Sequence, residues 1–153
     1  MVEKRAKKLA ELAPRIMGAF HNITRIHPEK DHITMRQYQA LIILHSNDTL
    51  SLSEFCQKLS LAASTGTELA NRLIEMGYFI KSSNPSDRRQ FFLRITPKGL
   101  RLLEERQKAL IQMFIQLMEP FSEEDQKLFV QSFEQILFIL TKYPKKVYAP
   151  EEA

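Results

Sequence analysis

The sequence is poor in the residues that catalytic loops and disulfide-stabilised folds require. It contains one cysteine, Cys56, and four glycines among its 153 residues. A single cysteine excludes an internal disulfide and is typical of a reducing, cytoplasmic compartment. Phosphate-cradling glycine loops, nucleophile–base pairs and paired catalytic carboxylates are also missing, so the sequence disfavours an enzyme.

Long apolar runs are missing as well. No run approaches the roughly 18 residues of a membrane span, and the N-terminal stretch MVEKRAKKLAELAP lacks the apolar segment of a signal peptide. Hydrophobic residues make up 44% of the chain and charged residues 26%, which is typical of a globular protein. We therefore expect one folded domain over residues 1–153, without a membrane partner.

The net charge of +4 is concentrated in one segment. Residues 51–101 hold eight lysines and arginines against four acidic residues, whereas the rest of the chain has fourteen of each sign. A concentrated positive field favours a polyanionic partner such as nucleic acid. An excess of this size is also compatible with an ordinary solvated surface.

Apolar residues at helical spacing predict two helices in the first third of the chain. Residues 5–26 form an amphipathic pattern, in which Pro14 marks either a bend or a second start. Thr34 and Gln37 have the spacing of a capping box for the next helix. The apolar face predicted for this second helix comprises Tyr38, Leu41, Ile42 and Leu44.

Two shorter helices follow the turn NDT at residues 47–49. Ser51 is placed to cap the first of them, with Glu54 as its partner three residues later. The second runs from about Ala63 to Met76, where Gly77 is a typical C-terminal residue.

The apolar period then changes from helical to strand-like. The runs YFIKSS and QFFLRIT flank the turn-rich stretch NPSDRRQ, which predicts a two-stranded hairpin. Thr96 and Pro97 open a long helix, Pro120 ends it, and Ser122 caps the last helix. Residues 144–153 are a predicted tail.

The predicted fold is therefore mainly α with a small β-hairpin wing, in an α+β arrangement. Residues 34–99 form a winged helix-turn-helix, flanked by N- and C-terminal helices at 5–26 and 97–142. The apolar faces of these flanking helices exceed what one small winged unit covers, so we expect them to form a dimer core.

Four motifs in the winged unit resemble the MarR family of transcription regulators. They are ITMRQYQAL, the helix pair SLSEFCQKLSLAASTGTELANRLIEMGY, the wing stretch SDRRQ, and ITPKG after the wing. The resemblance covers residues 34–99. The resemblance implies a homodimer that binds a pseudo-palindromic double-stranded DNA operator, typically as a repressor released by a small molecule, with no cofactor.

The resemblance also implies which residues contact DNA. The recognition helix would enter the major groove and present the side chains Ser64, Thr65, Thr67, Glu68, Asn71 and Arg72. The wing would enter the minor groove with Arg89, while Arg88 binds phosphate. Asp87 would orient the wing by pairing with Arg89 or Arg72.

The recognition helix departs from the family pattern at three points. A carboxylate, Glu68, stands where a basic or neutral polar residue is usual. It can accept a hydrogen bond from a cytosine amino group or pair with Arg72. The usual polar cap is replaced by Ala62 or Ala63. Gly66 lies inside the helix, and a close approach of the backbone to DNA would explain it.

Two features concern regulation, namely a pocket for an effector and the single cysteine. An effector pocket is expected where the first, second and fifth helices meet the winged unit, lined by Phe20, His21, Tyr38 and Met113. Cys56 is interpreted as a core residue, with redox sensing as the alternative.

A zinc-sensing regulator is also conceivable, because Glu29 and Asp31 lie near His27 and His32. The histidine spacings fit no compact ligand motif, so no metal site is predicted. A winged-helix dimer that binds protein instead of DNA is the remaining alternative, and Glu68 is its main support.

Overall fold

The computed structural model describes residues 1–24 and 33–143, apart from the side chains of residues 22–24. The described elements are α1 (Val2–Thr24), α2 (Met35–Asn47), β1 (Thr49–Ser51), α3 (Leu52–Lys58), α4 (Ala63–Glu75), β2 (Phe79–Asn84), β3 (Asp87–Ile95), α5 (Pro97–Met118) and α6 (Glu123–Lys142). The predicted fold class is confirmed.

Helices α2 and α3 both begin at the capping boxes that the sequence predicts. The Gln37 amide donates to Thr34 Oγ1 over 3.1 Å, and the Thr34 amide donates to Gln37 Oε1 over 2.9 Å. Ser51 and Glu54 repeat this exchange at 3.1 and 2.8 Å. Each pair satisfies two backbone donors that the first turn would otherwise leave open.

Helix α1 is continuous through Pro14, so a second start there is wrong. The predicted turn at residues 47–49 is only partly right. Asp48 turns the chain with a φ of 65°, but Thr49 already belongs to a strand. This strand, β1, pairs antiparallel with β3 through Thr49 and Arg94, which gives a three-stranded sheet in the order β1-β3-β2.

The core lies between α2, α3, α4, the sheet and the first turns of α5. Its largest fully buried side chains are Phe55, Phe79, Leu41, Leu44, Leu73, Leu93 and Leu103. Ile42 was expected on the buried face of α2 but is 36% exposed. It follows Leu41 by one residue, about 100° around the helix, which turns it towards solvent.

The outer helices have large apolar surfaces that no part of the described protomer covers. Helix α6 has no buried residue, although its sequence carries the run ILFIL at residues 136–140. A cluster of phenylalanines joins the three outer helices, because Phe20 of α1 packs against Phe114, Phe129 and Phe133 with ring centroids 5.9–6.4 Å apart. None of the described helices has the length and apolar character needed to cross a membrane.

Candidate nucleic-acid interface

The helix pair α3–α4 is held together by a close contact at Gly66. This glycine is buried, and a Cβ on it would overlap the Cys56 Sγ of α3. Gly66 therefore allows the two helices to pack, and the expectation that it allows close approach to DNA is wrong. The contact also explains why Cys56 is buried at 7% exposure, and burial raises the pKa of its thiol.

Helix α4 projects an uncapped N-terminus. Its N-cap is Ala62, as the sequence suggested, and this residue makes no side-chain cap hydrogen bond. The hydroxyls of Ser64 and Thr65 are exposed on the first turn. The hydroxyl of Thr67 donates to the Ala63 carbonyl over 2.6 Å, so its proton is already used within the helix. Free amides at a helix N-terminus attract phosphate oxygens.

The exposed face of α4 continues through Glu68, Asn71 and Arg72. Glu68 lies one turn from Arg72 and borders the same open groove. Among residues 1–24 and 33–143, however, Glu68 makes no ion pair within 4.0 Å, either with Arg72 or with any other cation. The internal pairing considered for this carboxylate is therefore not formed.

The wing ends in a tight turn at residues 85–86, and both arginines follow it at the start of β3. The Ser86 amide donates to Asn84 Oδ1 over 3.0 Å, which closes the tip. Arg88 and Arg89 are exposed. Within the described chain, neither guanidinium forms an ion pair. Two unneutralised cations thus occupy the narrow end of a hairpin.

Asp87 acts on the wing through the backbone. Its Oδ1 accepts a hydrogen bond from the Arg89 amide over 3.0 Å. The predicted ion pair with the Arg89 or Arg72 side chain does not occur among the described residues. The carboxylate fixes the local backbone of the tip while leaving the Arg89 guanidinium free.

The ITPKG motif anchors the C-terminus of α4 to α5. Thr96 Oγ1 donates to the Gly77 carbonyl over 2.6 Å and accepts from the Gly99 amide over 3.1 Å. Lys98 Nζ donates to the Met76 carbonyl over 2.9 Å. Gly77 has a φ of 79°, which glycine adopts without a Cβ penalty. Sequence reasoning identified Thr96 only as a cap, because its partner lies nineteen residues earlier.

Two open depressions border α2 in the described chain. The larger lies between the N-terminus of α2 and the exposed face of α4, and the smaller lies between α2 and α3. Arg36 lines both, and sequence reasoning did not select it. Its position two residues after the cap of α2 was the signal available, but it lies outside the basic segment 51–101.

None of the residues predicted for an effector pocket lines either depression. Phe20 belongs to the phenylalanine cluster and Met113 is buried, while His21 is exposed on α1. Burial raises the pKa of the Tyr38 phenol, and the charge of Arg106 partly opposes this. The effector pocket therefore stays a prediction.

No group of three or more histidine, cysteine, aspartate and glutamate side chains within the described residues could hold a metal ion. The imagined zinc ligands His27, Glu29, Asp31 and His32 lie outside those residues.

Comparisons with a family model and with individual proteins point to the same family. The MarR family model matches residues 33–91. An uncharacterised HTH-type transcriptional regulator of Bacillus subtilis, YsmB, is 31% identical over 104 residues, which cover 65% of this chain and 68% of that protein. A Thauera aromatica protein named for regulation of the hcr operon is 26% identical over 62% of this chain, but the match spans only 57% of that relative.

Solved structures share the fold over most of the chain. A MarR family protein from Bacillus stearothermophilus superposes with a TM-score of 0.68 at 25% identity, covering 92% of this chain and 95% of its own. BpsR of Bordetella bronchiseptica, whose DNA binding is described as regulated by 6-hydroxynicotinic acid, superposes with a TM-score of 0.64 at 19% identity, covering 84% and 98%. The winged helix-turn-helix, the four motifs and these matches together establish that the chain belongs to the MarR family of transcriptional regulators.

Proposed function

We propose that this chain is a homodimeric regulator that binds a pseudo-palindromic operator in double-stranded DNA. The observation that carries the proposal is the shared exposure of α4 and of the wing arginines, Arg88 and Arg89, in a chain whose entire net charge lies between residues 51 and 101. An α-helix fits the major groove. Arginine suits the narrow, strongly negative minor groove of A·T-rich tracts.

The recognition helix would divide its contacts between backbone and bases. Its uncapped N-terminus, with Ser64 and Thr65, is suited to phosphates. Asn71 and Arg72 are suited to base edges, since asparagine matches adenine and arginine matches guanine. Glu68 forms no ion pair with any residue of the described ranges, so its carboxylate is available to accept a hydrogen bond from a cytosine amino group.

Dimerisation is supported by the uncovered apolar surface of the outer helices. Leu137, Phe138 and Leu140 of α6 are each more than half exposed in the protomer. Exposed apolar patches of this kind mark protein interfaces. A two-fold dimer would place two recognition helices about one helical turn of DNA apart, and inverted half-sites would follow from this symmetry.

Repression relieved by a small molecule is the regulatory mode we propose. It is supported by family membership and by the ligand-regulated DNA binding described for BpsR. The geometry leaves the ligand unassigned. The alternative of a protein-binding winged helix is an outcome of the test below.

The test is selection of sheared genomic DNA from the source organism by the purified protein, followed by sequencing. We expect wild type to enrich an inverted repeat. An Arg88→Ala/Arg89→Ala variant should not enrich it, whereas an Arg5→Ala/Arg15→Ala control, which removes two arginines from α1, should. If the folded wild-type dimer enriches no sequence at any salt concentration, DNA binding is refuted and a protein partner becomes the better explanation.

The contribution of the wing to DNA affinity can be measured on the selected operator. Arg89→Ala should weaken operator binding several-fold in a fluorescence-anisotropy titration, because it removes the cation placed for the minor groove. Its thermal unfolding should match wild type, because the guanidinium is exposed and forms no ion pair with the part of the chain that the structure describes. Unchanged affinity at moderate salt would exclude this role.

A further inference from the structure

Two basic side chains outside the recognition helix and the wing border one depression. Arg36 projects from the first turn of α2 and Lys58 from the last turn of α3, and both are exposed. The depression between them is lined by Gln39, Ile42 and Leu59, and also by Ile43. Two cations from different helices thus converge on one surface with an amide beside them.

Neither cation is neutralised within the described chain. Arg36 makes no ion pair and no hydrogen bond there. Lys58 likewise lacks an ion pair within 4.0 Å. Its charge reaches Glu54 one turn away, where it adds to the hydrogen bonds from Ser51 that lower the pKa of that carboxyl. Both cationic groups are therefore available to an external anion.

The depression lined by Arg36 and Lys58 lies close to α4, which favours the DNA backbone as the anion. Arg36 also lines the groove that runs along the exposed face of α4 beside Glu68 and Arg72. Within the described chain, no wing residue borders either depression. Arg36 therefore lies beside the exposed face of α4, and Lys58 shares with it a second depression that no wing residue lines.

We infer that Arg36 and Lys58 form a phosphate clamp for the DNA backbone beside the groove that α4 enters. The inference rests on the proposed function and adds a contact that family membership does not assign. A helix in the major groove has a sugar-phosphate backbone along each side. The wing would contact DNA on one side of this groove, and Arg36 and Lys58 would contact the backbone on the other side.

The chemistry of the three side chains fits a phosphodiester. The guanidinium of Arg36 can donate two parallel hydrogen bonds to phosphate oxygens, and the Lys58 ammonium supplies a compact point charge. The amide of Gln39 can add a neutral donor. Contacts of this kind fix the register of a protein on the duplex without reading its sequence.

The salt dependence of binding distinguishes such contacts from base contacts. Each neutralised phosphate contributes about 0.9 to the slope of log K against log salt concentration. A dimer presents two clamps, in each of which Arg36 and Lys58 neutralise one phosphate apiece. One substitution per chain should therefore make the slope less steep by about 1.8, and the double substitution by about 3.6. The loss of affinity should be equal on the operator and on a scrambled duplex.

The experiment compares Arg36→Gln, Lys58→Gln and the double variant with wild type in anisotropy titrations across a salt series. The matched control is Arg15→Gln/Lys108→Gln, which removes one arginine and one lysine at exposed positions on α1 and α5. The control should keep the wild-type slope. Circular dichroism shows whether the double variant is folded. If it is unfolded, the salt slopes of the two single variants test the clamp.

The outcomes separate the clamp from the proposed function. A wild-type protein that binds its operator, with an unchanged slope in both single variants and the double variant, overturns the clamp and leaves the proposed function standing. A loss confined to the operator, with no change on the scrambled duplex, assigns the two residues to base reading and also overturns the clamp. Failure of wild type to bind any duplex overturns both.

Discussion

Gly66→Ala adds a single methyl group at the contact between α3 and α4. Two effects oppose each other at this position. Alanine is better than glycine in a helix interior by about 1 kcal/mol. The new Cβ, however, would overlap Cys56 Sγ and lie 3.2 Å from Cys56 Cβ, and overpacking of a core contact costs about 1–3 kcal/mol. We expect the clash to dominate, with a net destabilisation of up to about 2 kcal/mol.

In a protein that already carries Cys56→Ala, the substitution Gly66→Ala should increase stability instead of lowering it. Without Sγ, the nearest atom to the added methyl group is the Cβ at 3.2 Å, which requires a shift of only a few tenths of an ångström. The helix-propensity gain then outweighs the remaining strain. The double variant should therefore be more stable than Cys56→Ala alone, with a coupling energy between the two sites of about 1–3 kcal/mol.

The assay is urea unfolding followed by circular dichroism, at one fixed protomer concentration because dimer stability depends on it. Gly18→Ala serves as the matched control. Gly18 also lies inside a helix, but among the described residues no atom beyond its own stretch of helix lies within 4 Å of the added Cβ. We expect this control to be stabilised by about 0.4–1 kcal/mol.

Additivity would refute the reasoning. If the effects of Gly66→Ala and Cys56→Ala simply sum, the methyl group does not meet the sulfur. If Gly66→Ala instead leaves stability unchanged and abolishes operator binding, the glycine serves DNA contact after all, and its assignment to helix packing is wrong.

Three further predictions concern the same winged unit. Glu54 has a lowered pKa, chiefly through hydrogen bonds from Ser51, so its contribution to stability is present above the unfolded pKa and is lost as pH falls through the lower folded value. Glu54→Ala should therefore reduce the loss of stability in acid unfolding, and an unchanged pH profile would contradict this. The Cys56 thiol should react with a thiol reagent far more slowly in native than in urea-unfolded protein, because it is buried with a raised pKa; equal rates would show that the thiol is accessible. Thr96→Val should lower the free energy of unfolding by about 1–2 kcal/mol, because it removes a helix cap and the hydrogen bond to the Gly77 carbonyl. Replacing the exposed Ser53 by Ala is the control for that variant. Equal stability of the two variants would show that the hydrogen bond from Thr96 to the Gly77 carbonyl does not stabilise the fold.

The ITPKG motif connects the end of α4 to α5, the first of the two C-terminal helices. Thr96 and Lys98 bond to the carbonyls of Gly77 and Met76 at the end of α4. Hydrogen bonds therefore connect the end of α4 directly to the start of α5, although β2 and β3 lie between the two helices in the chain. The ITPKG motif thus has a structural explanation that does not require it to contact DNA.

The sequence by itself determined where four of the helices begin. The caps at Thr34, Ser51, Thr96 and Ser122 all satisfy backbone donors of their own first turns. These signals are local, since each partner lies three residues away, and interactions between near neighbours can be predicted from the sequence alone. The hairpin and the termination at Gly77 were predictable for the same reason.

Only the tertiary structure decided which residues meet across elements. It turned Ile42 towards solvent, placed Gly66 against Cys56, and paired Thr49 with Arg94 in a third strand. It also brought Arg36 and Lys58 to one surface, although 22 residues separate them in the chain. Such contacts depend on how helices and strands pack in space, and the periodicity of a single element carries no information about the neighbour it will meet.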